Sequence, residues 1–502
     1  TEHDFPFKAS AMLYFRDIRK ACKAVVMFSK MTDKAGNRIV KGAELLDKKS
    51  LSSVNDTTGE GLTTILTEVK GNSPEELAEH IAEITKSLEN YELAVPVYFT
   101  DKEEEYSTYW AIRSGIFPSV GGTRPPGTTC LIEDVAFHIQ DLPDAVADLQ
   151  DLMEKHDYHD ACIYGHSLEG NFHFIINQSF DTEQEIQRYE NLMNDVIALV
   201  VDKYDGSLKA EHGTGRNMAP FVEYEWGKEA FEVMKAVKKL FDPKNGLNPG
   251  VIFNDDPKCH LKNLKPLPVI ELKNGKTDHK ADKCIECGFC EINCLSAGFT
   301  LSARQRIVSQ REISRLRRSG ENPTRLATLE KEYIYAGEQT CAVDGLCATS
   351  CPMGIDTGDL THDIREANIP KGSVPYKIGD FAANHFAGIK SSLRPLLGVA
   401  NAAHFVIGSS AVNNLGKGLN KIGFPLWTSS LPKPYHLKQE KIPAYSSERK
   451  VVYFPSCINQ TMGVSKNAPD QTPLTDKMLS LLKKAGYEVI FPKGMERMCC
   501  GT

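Results

Sequence analysis

The sequence predicts an α+β fold: helices on one face of a mostly antiparallel sheet, then a small cysteine-rich domain, then the opening of a further α/β unit. Three observations predict it. Strand-like and helix-like runs alternate with short links between residues 62 and 204. Seven of the 14 cysteines fall between Cys284 and Cys351, which points to metal ligation in a reducing compartment rather than a disulfide scaffold. A new strand-like run opens at Val451, followed by Cys457, Cys499 and Cys500.

The first element is the β-rich run from Leu62 to Val69. Ser73, Pro74, Glu75 and Glu76 then form a capping box with proline at the first helical position, and Leu77, Ile81, Ile84 and Leu88 make one apolar stripe, so a helix is expected. Ala94 to Phe99 is expected to return as a strand. Further on, the spacing predicts a helix from Leu142 to His156, strands over 161–165 and 172–177, and a helix from Thr182 to Tyr204. The turn signal Asn248, Pro249, Gly250 closes this domain, taken as residues 1–253. Residues 254–282 are polar, contain Pro257, Pro266 and Pro268, and read as a linker. Residues 283–366 are the cysteine-rich domain. Residues 367–449, rich in Gly, Ala and Asn, read as a helical connecting segment that packs or touches a membrane, and 450–502 as a domain the chain does not finish.

At 502 residues the chain suits three or four domains of about 150 residues. It is 41% hydrophobic and 25% charged, ordinary for a folded protein. The net charge of −7 offers no global basic field for nucleic acid or anionic lipid. No run of about 18 uninterrupted apolar residues exists, so no membrane-spanning helix is expected, and no signal-peptide pattern follows Thr1. The basic helical stretch with Arg304, Arg306, Arg311, Arg315, Arg317 and Arg318 lacks interleaved aromatics. It reads as a solvated helix face rather than a nucleic-acid patch.

Cys284, Cys287, Cys290 and Cys294 follow C-x2-C-x2-C-x3-C, the run that wraps three thiolates around one cubane and turns the fourth to a second cluster. Zinc sites use paired C-x2-C knuckles instead. Leu295 stands where a proline usually follows. Cys341, Asp344, Cys347, Cys351 and Pro352 repeat the spacing, with Asp344 in the second ligand's place. The exchange rule then assigns Cys284, Cys287, Cys290 and Cys351 to one cluster and Cys294, Cys341 and Cys347 to the other. Carboxylate is a harder ligand than thiolate, so the remaining iron should be labile, giving a [3Fe–4S] or an Asp344-ligated [4Fe–4S] centre. The alternative is that Asp344 caps a turn and a remote cysteine ligates.

His166 and His173 flank a glycine-containing turn, and Glu211 and His212 come later. Two imidazoles and a carboxylate can hold a divalent metal with positions open for a 2-hydroxy acid, whose hydroxyl the metal acidifies for an adjacent imidazole to deprotonate. By spacing alone, satisfied structural histidines remain the alternative.

The segments 110–113, 133–136, 165–173, 211–216 and 247–250 together resemble the C-terminal half of FAD-linked oxidases of the vanillyl-alcohol-oxidase type. Phe454 to Cys457, with Cys499, Cys500 and Gly501, resembles the first part of the CCG domain of heterodisulfide-reductase and glycolate-oxidase iron–sulfur subunits. With the ferredoxin run between them, nearly the whole chain resembles the FAD- and Fe–S-containing D-lactate dehydrogenase family. The resemblance implies a ferredoxin-like α+β cap over the flavin, a mostly α-helical two-cluster domain and an incomplete α/β CCG domain. Nothing resembles the family's N-terminal FAD-binding domain; Thr1 to Ser50, with Glu44 to Asp47, looks like the link out of it. The chain is thus expected to be truncated at both ends, which puts its own FAD binding and any role of Cys457, Cys499 and Cys500 in doubt.

By the same resemblance, His166, His173 and Glu211 hold a Zn2+-like metal and His212 is the base. Arg113 pairs with the substrate carboxylate, a helix-surface salt bridge being its alternative. Asn248, Glu211, Gly213 and Asn171 lie on the cofactor side. Related 2-hydroxyglutarate enzymes carry threonine and lysine where Phe117 and Ile132 stand, which disfavours a dicarboxylic substrate. The expected function is oxidation of D-lactate to the 2-oxo acid, with electrons passing through the clusters to a quinone or cytochrome-type acceptor. A cytoplasmic protein, peripheral on the inner face of a membrane, is implied. The alternatives are D-2-hydroxyglutarate or glycolate oxidation, or an electron relay with an idle cap.

Overall fold

The computed structural model describes residues 5–54, 59–277, 280–420, 426–437, 446–465 and 468–498. The chain divides into two units, residues 1–364 and 365–502.

The first unit is built on a six-stranded antiparallel sheet: β1 (Phe7–Phe15), β2 (Val40–Leu46), β3 (Thr63–Gly71), β4 (Thr129–Ala136), β5 (Cys162–His166) and β6 (Asn171–Gln178), ordered β1-β3-β2-β5-β6-β4. Alternation along the strands gives it two apolar faces. Leu13, Leu45, Ile65, Ile163 and Phe174 pack under α1 (Ile18–Phe28), and the same core takes in later helices described below. Met12, Leu46, Leu66, Tyr164 and Ile175 pack under α2 (Lys48–Ser53), α3 (Pro74–Leu88) lying instead on the first face, and under α4 (Glu103–Thr123). The first face is completed by α5 (Leu142–Lys155) and α6 (Glu183–Ile197), which runs on into a π-helical turn over Ala198–Lys203. Helices therefore cover both faces, not one: Ile116 and Val120 of α4 turn a second apolar stripe onto the sheet.

The expected Ser73 cap is present, its hydroxyl accepting from Glu76 N at 3.2 Å. Two corrections concern strands. Residues 94–99 make no strand; Pro96 has no N–H for a ladder, and only isolated bridges at Leu93 and Thr100 tie the segment to β1. Conversely, β1 and β2 lie in the stretch read as a link, and β2 is interior to the sheet.

After α7 (Val222–Phe241), kinked at Gly227, the described residues form only short 3-10 turns (Cys259–Leu261, Lys280–Lys283 and Phe289–Asn293) before α8 (Ala303–Ser319), α9 (Pro323–Tyr333), α10 (Leu346–Thr349) and α11 (Thr357–Asn368). The segment read as a linker is packed: Leu267, Ile270 and Leu272 are buried, and Glu271 N donates to Ser314 Oγ of α8 at 3.0 Å. α8 is not a solvated face either, since Arg306 and Arg311 are 1% and 4% exposed.

The second unit contains α12 (Val374–Asn384) and α13 (Phe386–Asn420), kinked at Gly408. β7 (Pro432–Pro434) pairs antiparallel with a strand over Met462–Ser465, while β8 (Lys450–Val452) pairs parallel with a strand over Glu488–Ile490. Those partners are β9 and β10; α14 (Cys457–Thr461) and α15 (Leu474–Lys484) complete the unit. α13 is long and apolar enough to cross a membrane. A count of uninterrupted apolar residues misses it because Ser, Asn and Gly interrupt the run without adding acidic charge. Cys457 opens α14; Cys499, Cys500 and Gly501 lie outside the described residues.

Candidate functional site

Strand register assembles the site. Glu44 on β2 stands opposite His166 on β5, Tyr164 opposite His173 on β6, and His173 opposite Asp134 on β4. Period-two alternation sends all of these to the face that α4 covers. β5 and β6 are joined by the turn Ser167–Glu169, which Gly170 ends at φ 72°. A Cβ on Gly170 would lie 2.1 Å from the Phe137 carbonyl oxygen. Gly170→Ala is therefore expected to lower stability by about 2–4 kcal/mol, read by urea denaturation, and to pull His166 and His173 out of alignment.

A loop closes over this row. Buried Asp134 accepts from the backbone N–H groups of Ala210, Glu211 and His212, each at 2.8 Å. Burial pushes its carboxyl up, but the three donors outweigh it and hold it below the ordinary range. The loop thereby brings Glu211 Oε1 to 3.0 Å from His173 Nε2, 3.4 Å from His166 Nε2 and 3.8 Å from His212 Nε2. The His212 ring stacks on His173, centroids 4.8 Å apart.

Donor atoms around a tetrahedral zinc ion lie about 3.3 Å apart, so His166, His173 and Glu211 are spaced to hold a divalent cation. Burial and then the neighbouring His212 lower the His173 pKa to about 4, which keeps its imidazole in the neutral form a metal requires. His173 Nδ1 is buried without a hydrogen-bond partner. His166 Nδ1 meets Glu44 Oε1 at 2.5 Å, the carboxylate backing common behind metal-bound histidines, and this bond raises the His166 pKa. Asp134, His173 and His212 also converge, but both Asp134 oxygens are already occupied by the loop.

Arg113, on α4, donates from Nε to Glu44 Oε2 at 3.1 Å and lies 5.3 Å from the Tyr164 ring centroid. The salt bridge read as the alternative for Arg113 is thus present, with Nε committed to Glu44. Phe117 and Ile132 pack in the apolar layer with Tyr164 and Ile175. Glu44 and Asp134 carry the arrangement, yet neither was singled out for a role from the sequence. Only the register reveals them.

The residues on the cofactor side separate. Asn248 (φ 46°) is exposed, and its loop is tied to that of Gly213 (φ 73°) by Arg216 Nη2 to Pro249 O at 3.1 Å and Ile252 N to Gly215 O at 3.0 Å. Asn171 is buried at the start of β6, donating to Val135 O at 3.2 Å, with its Oδ1 unpartnered. A Cβ on Gly213 would meet nothing within 4 Å.

The cysteines form two further groups. Cys294, Cys341 and Cys347 line one cavity with Asp344 and Asp356. Cys290 lies in the electrostatic reach of Cys284 and Cys351, and burial raises its pKa to about 11. Cys287 is exposed. Among the described residues no three cysteine sulfurs lie within 4.8 Å of one another, whereas sulfurs on one zinc ion stand about 3.8 Å apart. The donor set suits larger clusters. Asp344 Oδ1 accepts from Leu346 N at 3.1 Å, a turn contact that leaves Oδ2. Buried Arg306 places Nη1 3.6 Å from Cys294 Sγ and Nε 2.6 Å from Gly337 O.

Residues 6–252 match the family of FAD linked oxidases, C-terminal domain, and residues 280–355 match the 4Fe-4S dicluster domain. Over 216 residues the chain is 28% identical to glycolate oxidase subunit GlcD of Bacillus subtilis, covering 42% of this chain and 45% of that one. It is 27% identical over 219 residues to the mitochondrial cytochrome-type D-lactate dehydrogenase of Arabidopsis thaliana (43% and 37%). It is 29% identical over 157 residues to D-2-hydroxyglutarate dehydrogenase of Stutzerimonas stutzeri (31% and 32%). The matched region spans less than half the length of each of these relatives.

Proposed function

The chain belongs to the FAD-linked oxidases that carry a 4Fe-4S dicluster domain, and from that premise we propose that its parent protein oxidises a D-2-hydroxy acid, D-lactate first, to the 2-oxo acid. The observation that carries this reading is the meeting of His166, His173 and Glu211 one hydrogen bond away from the Glu44–Arg113 pair. A 2-hydroxy acid offers one carboxylate to Arg113 and one hydroxyl to the imidazole side. A divalent ion such as Zn2+, when bound, lowers the hydroxyl pKa, and FAD, when bound, is the two-electron acceptor. His212, partly exposed and aligned by its stack on His173, takes the hydroxyl proton. Arg113 fixes the carboxylate, and the buried wall behind it keeps water from the reacting carbon.

Cys284, Cys287, Cys290 and Cys351 are proposed to hold one [4Fe–4S] cluster. Cys294, Cys341 and Cys347 hold the second, as a [3Fe–4S] centre or a [4Fe–4S] centre completed by Asp344. They convert a two-electron oxidation into single-electron delivery to a quinone or cytochrome-type acceptor. α13 contains no acidic residue and exposes Leu396, Val399, Phe405, Val406 and Ile407, which supports peripheral contact with the cytoplasmic face of a membrane.

Apolar Phe117 and Ile132 favour D-lactate over a second carboxylate, while the likeness to enzymes named for glycolate and D-2-hydroxyglutarate keeps those as the competing substrates. The test is anaerobic flavin bleaching in the full-length parent offered D-lactate, L-lactate, D-2-hydroxyglutarate and glycolate. D-lactate is expected to bleach it fastest. Preference for D-2-hydroxyglutarate would overturn the pocket argument, and no bleaching by any of them would leave the electron-relay reading.

A further inference from the structure

α4 connects the two kinds of site. Arg113 lies in its middle, and eight residues later, about 12 Å along the axis, it reaches Gly121 and Gly122. There the Fe–S loops press against it. A Cβ on Gly121 would lie 2.5 Å from Ile285 Cγ2, and one on Gly122 would lie 1.7 Å from Met353 Cε. Ile285 follows Cys284, and Met353 is two residues beyond Cys351. Both loops belong to the same proposed cluster.

Arg124, just past the helix, finishes the contact. It is 8% exposed, and all its N–H groups meet carbonyl oxygens. Nε donates to Thr128 O at 2.9 Å, Nη1 to Gly121 O and to Lys283 O at 2.9 Å, and Nη2 to Asp282 O at 2.9 Å and Cys284 O at 3.0 Å. Arg311 binds the same carbonyls, from Nη2 to Asp282 O at 3.1 Å and Cys284 O at 3.0 Å, and is itself paired with Glu286 Oε1 at 2.7 Å. Lys265 also pairs with Glu286. The Asp282 carboxylate accepts from Ile270 N at 2.9 Å, which moderates the local field while the guanidinium binds only that residue's carbonyl.

We infer that Arg124 is the residue through which the oxidase domain seats the cluster of Cys284, Cys287, Cys290 and Cys351 and raises its reduction potential. This rests on the proposed ligand set. Reduction adds one electron to the cluster, with no bond broken and no proton required, so the reduced form is the more negative one. A buried cation beside Cys284 stabilises that form more strongly than a solvated one would.

The test is an EPR-monitored redox titration of the full chain, its clusters restored anaerobically with iron and sulfide, using dithionite as reductant. The cluster is assigned by its loss in Cys290→Ala. Arg124→Gln is expected to make its reduction about tenfold less favourable, a downward shift of about 59 mV for one electron, and to leave the other cluster unmoved. Arg124→Lys keeps the charge and is expected to stay near the wild-type value. No shift in Arg124→Gln, or equal shifts in both variants, would overturn the inference. If Arg124→Gln does not fold, a lowered potential in Arg124→Lys overturns it alone. A wild-type chain that assembles no cluster overturns the ligand set instead, and the inference with it.

Discussion

Replacing His173 with alanine is expected to weaken divalent-metal binding by at least about 100-fold and to slow flavin bleaching by substrate in the parent by about 1000-fold. The size of the effect follows from position. His173 is shared by both converging donor sets, and its side chain is 4% exposed. Its loss leaves Glu211 facing His166 across a gap and removes the surface on which His212 stacks. Because alanine also opens a cavity in the sheet, His173→Gln serves as the companion variant, keeping most of the volume without an imidazole. Zn2+ and Mn2+ titrations with metal analysis read the affinity. His159→Ala, 67% exposed at the side chain and paired with Glu154, is the control expected to change nothing. Metal affinity unaltered in both His173 variants would return these histidines to a structural role.

How much of this site could be read from the sequence depends on the distance over which each contact forms. His166 and His173 lie on consecutive strands joined by one turn, and local alternation places them both. Glu44 is 122 residues from His166 and joins it only because β2 slots beside β5. The stretch around it reads as a link although β3, its other neighbour in the sheet, is the next strand along the chain. Asp134 looks like any strand carboxylate until the 210–212 loop folds onto it. Arg306 and Arg311 show the opposite failure. A run of arginines on a helix reads as solvated, but here carbonyls, a hydroxyl, a cysteine sulfur and the Glu286 carboxylate meet most of the Arg306 and Arg311 N–H groups inside the fold, Arg311 Nε alone of the two side chains' buried nitrogens staying unpartnered. Ordinary polarity scales have no means of anticipating that. Caps are the reverse case: Ser73 acts within four residues of itself and is legible in the sequence, whereas the complete capping box of Ser302 and Gln305, equally local, is seen in the structure.

Asp344→Cys is expected to raise the iron content of the anaerobically restored chain from about seven to about eight atoms and to abolish the three-iron EPR signal of the oxidised protein. Asp344 holds the second position of the repeated cysteine spacing, and its side chain borders the cavity of Cys294, Cys341 and Cys347. Carboxylate oxygen binds iron more weakly than thiolate in a sulfur-rich cluster, so the iron at that corner is the one oxidation removes. A cysteine there supplies the softer ligand at the cost of one turn bond, the Leu346 N–H to Asp344 Oδ1 contact at 3.1 Å. Asp356 borders the same cavity, with Oδ1 3.7 Å from Cys347 Sγ and 2.7 Å from Gly358 N, and is the competing oxygen ligand. The two carboxylates are separated by pairing Asp344→Cys with Asp356→Ala. Iron gained in the first and unchanged in the second identifies Asp344 as the labile corner. Iron lost in the second, with none gained in the first, assigns the corner to Asp356 and reduces Asp344 to a turn cap.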